Sequence, residues 1–198
     1  MDTLTHIVLG ACIGEIVAGK RLGKPALLVG ALANSLPDID FVASFWMPTT
    51  DDLLAHRGFT HSFMFLALAA PLLAWVSGRV FARAAMNYRQ WLWFWALQVF
   101  VHLFIDAFNA YGTAWFEPFS HYRVSFNTMF VADPLFTLWP LAAFAVLMVR
   151  KREWQGRVKL AAGAFDITVM VGFGNAPNNG YVRLAGLAQV TNKRKNNT

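Results

Sequence analysis

Charge is what this sequence has least of. Asp, Glu, Lys and Arg make up 14% of its 198 residues, while 57% are hydrophobic; a soluble domain carries about 25% charged residues. Together with a mean hydropathy of +0.42 and apolar runs close to bilayer length, this excludes an ordinary soluble domain and predicts an integral membrane protein. Cysteine is nearly absent. Cys12 stands alone, so no intramolecular disulfide can form, and the residue says nothing about compartment. The N-terminus, Met1-Asp2-Thr3-Leu4-Thr5-His6, has no basic region of the kind that opens a cleavable signal peptide, and none is expected. There is no internal repeat and no heptad pattern.

Acidic residues are scarcer than basic ones, giving a formal net charge of +6 and a pI near 9.8. Such a balance can signal nucleic acid. Here the basic residues fall at the ends of apolar runs, as the positive-inside rule requires, so the expected partner is a lipid bilayer and not nucleic acid. The 15% aromatic content suits interfacial belts.

In chain order, Ile7 to Ala18 reads as a short apolar helix carrying Glu15, followed by Lys20, Arg21 and Lys24, with Gly19 and Gly23 as breakers. Glu15 is expected to pair with Lys20 or Arg21. Ala26 to Leu36, between Pro25 and Pro37, completes a short N-terminal helical hairpin. Phe41 to Leu54 reads as an interfacial loop. Ser62 to Gly78, Trp91 to Phe108 and Phe130 to Val149 read as spans, separated by the basic Arg79–Arg89 loop and the polar Asn109–Asn127 loop. The expected fold is all-α: a multi-pass transmembrane helical bundle over residues 1–152. Residues 153–198 form an atypical tail whose run Val158 to Ala176 is not expected to cross. If every other segment crosses, Lys20–Lys24, Arg79–Arg89 and Arg150–Arg152 share the cytoplasmic side. His6, Asp38, Asp40, His56, His61 and Asp106 then share the opposite end.

The polar residues at that end carry the chemistry. His56-Arg57-Gly58-Phe59-Thr60-His61-Ser62 places two imidazoles and a guanidinium at the mouth of an apolar helix. They read either as polar caps at a membrane boundary or as part of a site. His102 and Asp106 stand at i and i+4 on one helix face. Ionisable groups inside a span are costly and usually mark function, although a hydrogen-bonded His–Asp pair joining two helices would look the same. Pro37-Asp38-Ile39-Asp40 offers two carboxylates that an extended segment would turn to one face; a turn or cap role is the alternative. His6 alone would be a helix-start residue, and His121 reads as structural.

Met1-Asp2-x-x-Thr5-His6-x-x-x-Gly10, Pro37-Asp38-Ile39-Asp40, the His56–Ser62 string and His102-x-x-x-Asp106 together resemble a bacterial inner-membrane family. It is described as metal-dependent hydrolases, formerly a domain of unknown function, with LexA-regulated members. A looser similarity runs to zinc-dependent phospholipase C proteins. The resemblance covers about Met1 to Arg152 and implies a multi-pass protein with a divalent-metal site and hydrolase activity.

Two functions are then in view. In the first, His6, Asp38, His56, His61, His102 and Asp106 hold a divalent metal, zinc being expected. Asp38 or Asp40 takes a proton from water, Arg57 clamps a phosphate or carboxylate, and the substrate is a lipid or lipid-linked phosphoester at the outer membrane–water boundary. In the second, the metal site is structural or transport-related and no hydrolysis occurs. A transporter would more often place its ligands near mid-membrane and show repeats.

Overall fold

The computed structural model describes residues 2–45, 58–127, 134–149 and 153–174. Among them are six α-helices and no strand beyond an isolated bridge between Thr113 and Val124. The helices are α1 (Thr3–Leu22), α2 (Pro25–Asn34), α3 (Phe63–Val80), α4 (Tyr88–Asp106), α5 (Pro134–Val149) and α6 (Trp154–Gly174). By length and composition, two of these, α1 and α3, are long and apolar enough to cross a membrane. The described part of the expected span Phe130–Val149 is a helix of 16 residues.

α1 is longer than the run Ile7–Ala18 predicts, because local chemistry extends it at both ends. The Asp2 side chain accepts the Thr5 backbone N–H at 2.9 Å and caps the first turn. Lys20 and Arg21 fall in the last turn, where cations complement the helix dipole. Gly19 does not break the helix; the Glu15 carboxylate occupies the space its Cβ would fill. Gly23, at φ 65°, supplies the stop, and Pro25 opens α2 at its first turn.

The two helices of this hairpin approach very closely. A methyl group on Gly10 would overlap Asn34 and the Gly30 carbonyl oxygen. One on Gly14 would meet the Ala26 carbonyl, and one on Gly30 the Gly10 carbonyl. Small residues four apart allow this approach where no water drives helices together. α1 is the hub of the bundle, packing against α2, α4, α5 and α6. α3 packs on α4, where Trp95 Nε1 donates to Ser77 Oγ at 2.8 Å. The outer faces are apolar and open: Leu32, Leu72, Trp75 and Trp93 are all more than half exposed, as lipid contact would require.

The bundle has two chemically different ends. At one, Arg21 donates to the Ala85 carbonyl at 2.8 Å and to Gln90, and Lys24 to the Met148 carbonyl at 2.8 Å. The hairpin turn and the α3–α4 loop with Arg83 therefore lie together. At the other end are the start of α1, the end of α2, the start of α3 and the end of α4.

Part of the tail packs against the bundle. Trp154 to Gly174 is a continuous helix packed on α1 and α5. Glu15 pairs with neither Lys20 nor Arg21. It accepts two hydrogen bonds from Arg157, Nε to Oε1 and Nη2 to Oε2, both at 2.7 Å and both residues buried. A fork-to-fork pair of this kind pins α6 to the hub.

Arg157→Ala would leave the Glu15 carboxylate buried without its partner. The expected loss is about 3–5 kcal/mol, read as a lower midpoint of thermal unfolding in detergent. Replacing both residues by leucine should recover most of the loss, because two well-packed apolar side chains leave no orphan charge.

Candidate metal centre

Four elements deliver side chains to the end opposite the basic loops. Asp38 and Asp40 do not lie on an extended segment; Leu36–Phe45 winds as a 3-10 helix directly after α2. Its tighter turn still aims both carboxylates at one ring: Asp38 Oδ1 lies 3.5 Å from His61 Nε2, and Asp40 Oδ2 lies 3.4 Å from His61 Nδ1. His61 ends a 3-10 turn, Phe59–His61, and Ser62 caps α3 by accepting the Phe65 N–H. This short turn is how the His56–Ser62 string reaches the site. His56 and Arg57 lie outside the described residues. His102 and Asp106 come from the last two turns of α4 and are fully buried.

Asp38, His61, His102 and Asp106 each offer one ligand atom, and the four atoms lie within 4.8 Å of one another. The separations are 3.1 Å between the two histidine Nε2 atoms and 3.5 Å from each Nε2 to Asp38 Oδ1. Asp106 Oδ2 is 3.5 Å from His61 Nε2 and 3.8 Å from His102 Nε2. Ligands about 2.0–2.2 Å from a tetrahedral ion are about 3.3–3.6 Å apart. The donor set therefore has both the chemistry and the spacing to hold a divalent cation.

Hydrogen bonding on the far side of each ring supports the same reading. Thr60 Oγ1 donates to Asp40 Oδ2 at 3.1 Å, so its oxygen is left to accept from His61 Nδ1 at 3.0 Å. His102 Nδ1 lies 2.6 Å from the Asn34 carbonyl oxygen and must donate to it. Both Nε2 atoms thus face inward, 3.1 Å apart, a contact that needs a cation or a proton between them. Asp38 Oδ2, also buried, has no hydrogen-bond partner among the described residues. Burial alone would lower the His61 pKa. The Asp106, Asp38 and Asp40 carboxylates outweigh burial and push it up to about 10, so this environment strongly favours positive charge.

His6 lies beside the four-atom group. Its Nε2 is 3.2 Å from Asp106 Oδ1, its Nδ1 is 3.2 Å from Asn34 Oδ1, and its ring stacks on His102 at 3.9 Å. Asp40 meets the far side of His61 rather than the centre. His121 is exposed and pairs with Glu117 at 3.1 Å. Two side chains that sequence reading did not single out also belong here: Asn34 and Gln98, both fully buried. Each is a lone amide inside an apolar run, which was the signal available.

Comparison with known proteins points to a membrane protein family. The family model described as YdjM inner membrane protein matches residues 1–176, past the expected Met1–Arg152 and through α6. The chain is 35% identical over 156 residues to the uncharacterized protein YfhP of Bacillus subtilis, covering 74% of this chain and 46% of that one. It is 32% identical over 122 residues to the inner membrane protein YbcI of Escherichia coli, covering 61% of this chain and 69% of that one. It thus spans about half the length of the first relative and about two thirds of the second. No solved structure matches.

Asp38→Asn and Asp40→Asn should separate the two carboxylates. Loss of Asp38 removes a ligand atom and should abolish stoichiometric cation binding. Loss of Asp40 removes only a partner of a ligand and should weaken binding about 10–100-fold. Because an entering cation displaces protons from the imidazoles, affinity in the wild type should fall as pH is lowered. Titration calorimetry at several pH values checks all three.

Proposed function

The chain belongs to the YdjM inner membrane protein family, and from that premise we propose that it is a metal-dependent hydrolase of the inner membrane, built as a multi-pass helical bundle. The observation that carries this reading is the four-atom cluster: two imidazole Nε2 atoms 3.1 Å apart, each 3.5–3.8 Å from two carboxylate oxygens, and all four atoms within 4.8 Å of one another. Two carboxylates and two neutral imidazoles neutralise a dication and match the borderline ligand preference of zinc.

A bound divalent ion would supply Lewis acidity and a water of lowered pKa. The protein's own residues divide the remaining work. His61 and His102 would hold the ion through Nε2, with their Nδ1 protons tied off by Thr60 and by the Asn34 carbonyl. Asp106 would be a further ligand, braced by His6. Asp38 is the one member of the cluster that is not fully buried, its side chain 16% exposed. It sits where a substrate would enter and is placed to take the proton of an attacking water. Asp40 keeps the His61 ring in place. His56 is a further ligand candidate and Arg57 a clamp for a phosphoryl oxygen, both assigned on sequence alone. The hydrolase unit is residues 1–152, with α6 packed behind it.

The substrate class follows from location. The cluster sits at the end of the bundle opposite the basic loops, which the positive-inside rule assigns to the cytoplasm, so the site opens at the outer membrane–water boundary. A lipid or lipid-linked phosphoester presents its ester at that depth. One observation favours a second reading, in which the metal is structural or transport-related: four protein ligands can close a tetrahedral site and leave no open position for water.

Protein purified in mild detergent without chelator should carry about one equivalent of metal. It should hydrolyse bis-p-nitrophenyl phosphate, or release headgroups from mixed phospholipid micelles, in a manner abolished by chelation and restored by zinc or manganese. His61→Ala should lose both metal and activity while its unfolding midpoint stays near that of the wild type. Metal binding without turnover would favour the second reading. Absence of metal after zinc and manganese are offered would end both.

A further inference from the structure

A chain of buried amides lies behind the cluster, and its donor–acceptor order can be followed without a gap. Gln98 Nε2 donates to the Gly10 carbonyl oxygen at 3.0 Å. This turns Gln98 Oε1 toward Asn34, where it accepts from Asn34 Nδ2 at 3.1 Å; the same Nδ2 also donates to the Gln98 backbone carbonyl at 2.9 Å. Both Nδ2 hydrogens are thus used, and the Asn34 amide cannot flip without losing two bonds. Asn34 Oδ1 then faces His6 Nδ1 at 3.2 Å and can only accept, so the proton is on His6 Nδ1. Asn34 acts a second time through its backbone. It is the last residue of α2, so its carbonyl has no partner within the helix, and it accepts from His102 Nδ1 at 2.6 Å.

We infer that Asn34, locked by Gln98, is the positioning residue of this centre: one amino acid fixes a proton on Nδ1 of both His102 and His6. Its backbone carbonyl commits His102 Nε2 to the cluster, and its side chain holds the His6 ring by Nδ1, so that the contact of His6 Nε2 with Asp106 Oδ1 is closed by a second proton between those two atoms. The close approach of α1 and α2 makes this reach available, since a Cβ on Gly10 would overlap Asn34. A generic core amide would not require both a defined flip state and contact with two of the rings that meet at Asp106. The inference rests on the proposed metal reading for its consequence, but the proton positions it states belong to the protein whether or not a metal binds.

Two measurements test it separately. In wild-type protein labelled with 15N-histidine, long-range 15N–1H correlation in detergent should show His6 and His102 with a proton on Nδ1; His102 should show Nε2 without one once zinc is added. A spectrum with His102 protonated on Nε2 and bare on Nδ1 would overturn the inference with no variant needed. Second, Gln98→Met removes the acceptor for Asn34 Nδ2 at similar volume, whereas Ser77→Ala removes a buried hydrogen bond, that from Trp95 Nε1, near the opposite end of α3. Cobalt(II) affinity should fall about 10–100-fold in Gln98→Met, the range typical of lost partners behind metal ligands. The visible absorption of its bound cobalt should shift, while Ser77→Ala stays within a few-fold of wild type. Equal affinity and identical spectra in all three proteins would overturn the inference and leave the hydrolase reading intact. If Gln98→Met fails to fold, the labelled wild type decides. If wild type binds no cobalt at all, the hydrolase reading fails, and the histidine spectrum still decides this one.

Discussion

The contact on which the rest of the structure depends is the near-touching of α1 and α2 across Gly10, Gly14 and Gly30. In lipid, apolar side chains gain little by leaving one apolar environment for another, so helices associate through close backbone packing and polar links. Once these three glycines are in register, everything at the polar end is positioned: His6 lies one turn before Gly10 on the same face of α1, opposite the end of α2. Asn34 is then within reach of His6, Gln98 of the Gly10 carbonyl, and the 3-10 segment carrying Asp38 starts where His61 and His102 converge. Larger residues at these positions would separate the helices and open all of these contacts together.

Sequence reading recovered the end-to-end logic of the bundle better than its local geometry. The alternation of basic loops with apolar runs put His6, Asp38, Asp40, His61 and Asp106 at one end, because that alternation is a property of whole segments and tolerates errors of several residues in any boundary. Local geometry was less legible. The Asp38–Ile39–Asp40 triplet suggested an extended strand of alternating side chains, yet the segment is a 3-10 helix, and a triplet is too short to carry a period. Glu15 was assigned to nearby cations at i+5 and i+6, whereas its partner, Arg157, is 142 residues away. That pairing exists only because α6 folds back on α1, a long-range fact that no local pattern encodes. Asn34 and Gln98 were overlooked for a related reason: an amide carries no charge, and its importance comes from which groups it separates.

Two buried ionic arrangements sit at opposite ends of α1 and obey different rules. Glu15 and Arg157 form a saturated pair: each carboxylate oxygen has a guanidinium donor, charge cancels within the pair, and nothing further is needed. The other end is not saturated in that way. Asp38, Asp40 and Asp106 surround two imidazoles whose inward nitrogens face each other at 3.1 Å. There, among the described residues, three carboxylates meet two imidazoles. These carboxylates favour positive charge on the ring between them, and they hold the His61 pKa up at about 10 against the opposing effect of burial. The Glu15–Arg157 pair fits a purely structural role, whereas the carboxylates and imidazoles at the other end bring together four ligand atoms that could hold a cation.

The position of Asp38 bears on how such a site would turn over. His61, His102 and Asp106 are completely buried, and their outer contacts, to Thr60, the Asn34 carbonyl and His6, leave them little freedom. Asp38 belongs to a 3-10 segment, is partly open, and has a buried Oδ2 with no partner among the described residues. A rigid three-residue base with one adjustable carboxylate reconciles the two chemical readings of four ligand atoms. With Asp38 among the ligands, four protein donors would complete a tetrahedral set, as a structural centre has. With Asp38 as proton acceptor instead, His61, His102 and Asp106 would be the three protein ligands that catalytic zinc sites have. The difference between the structural and the catalytic reading thus comes down to the role of one carboxylate.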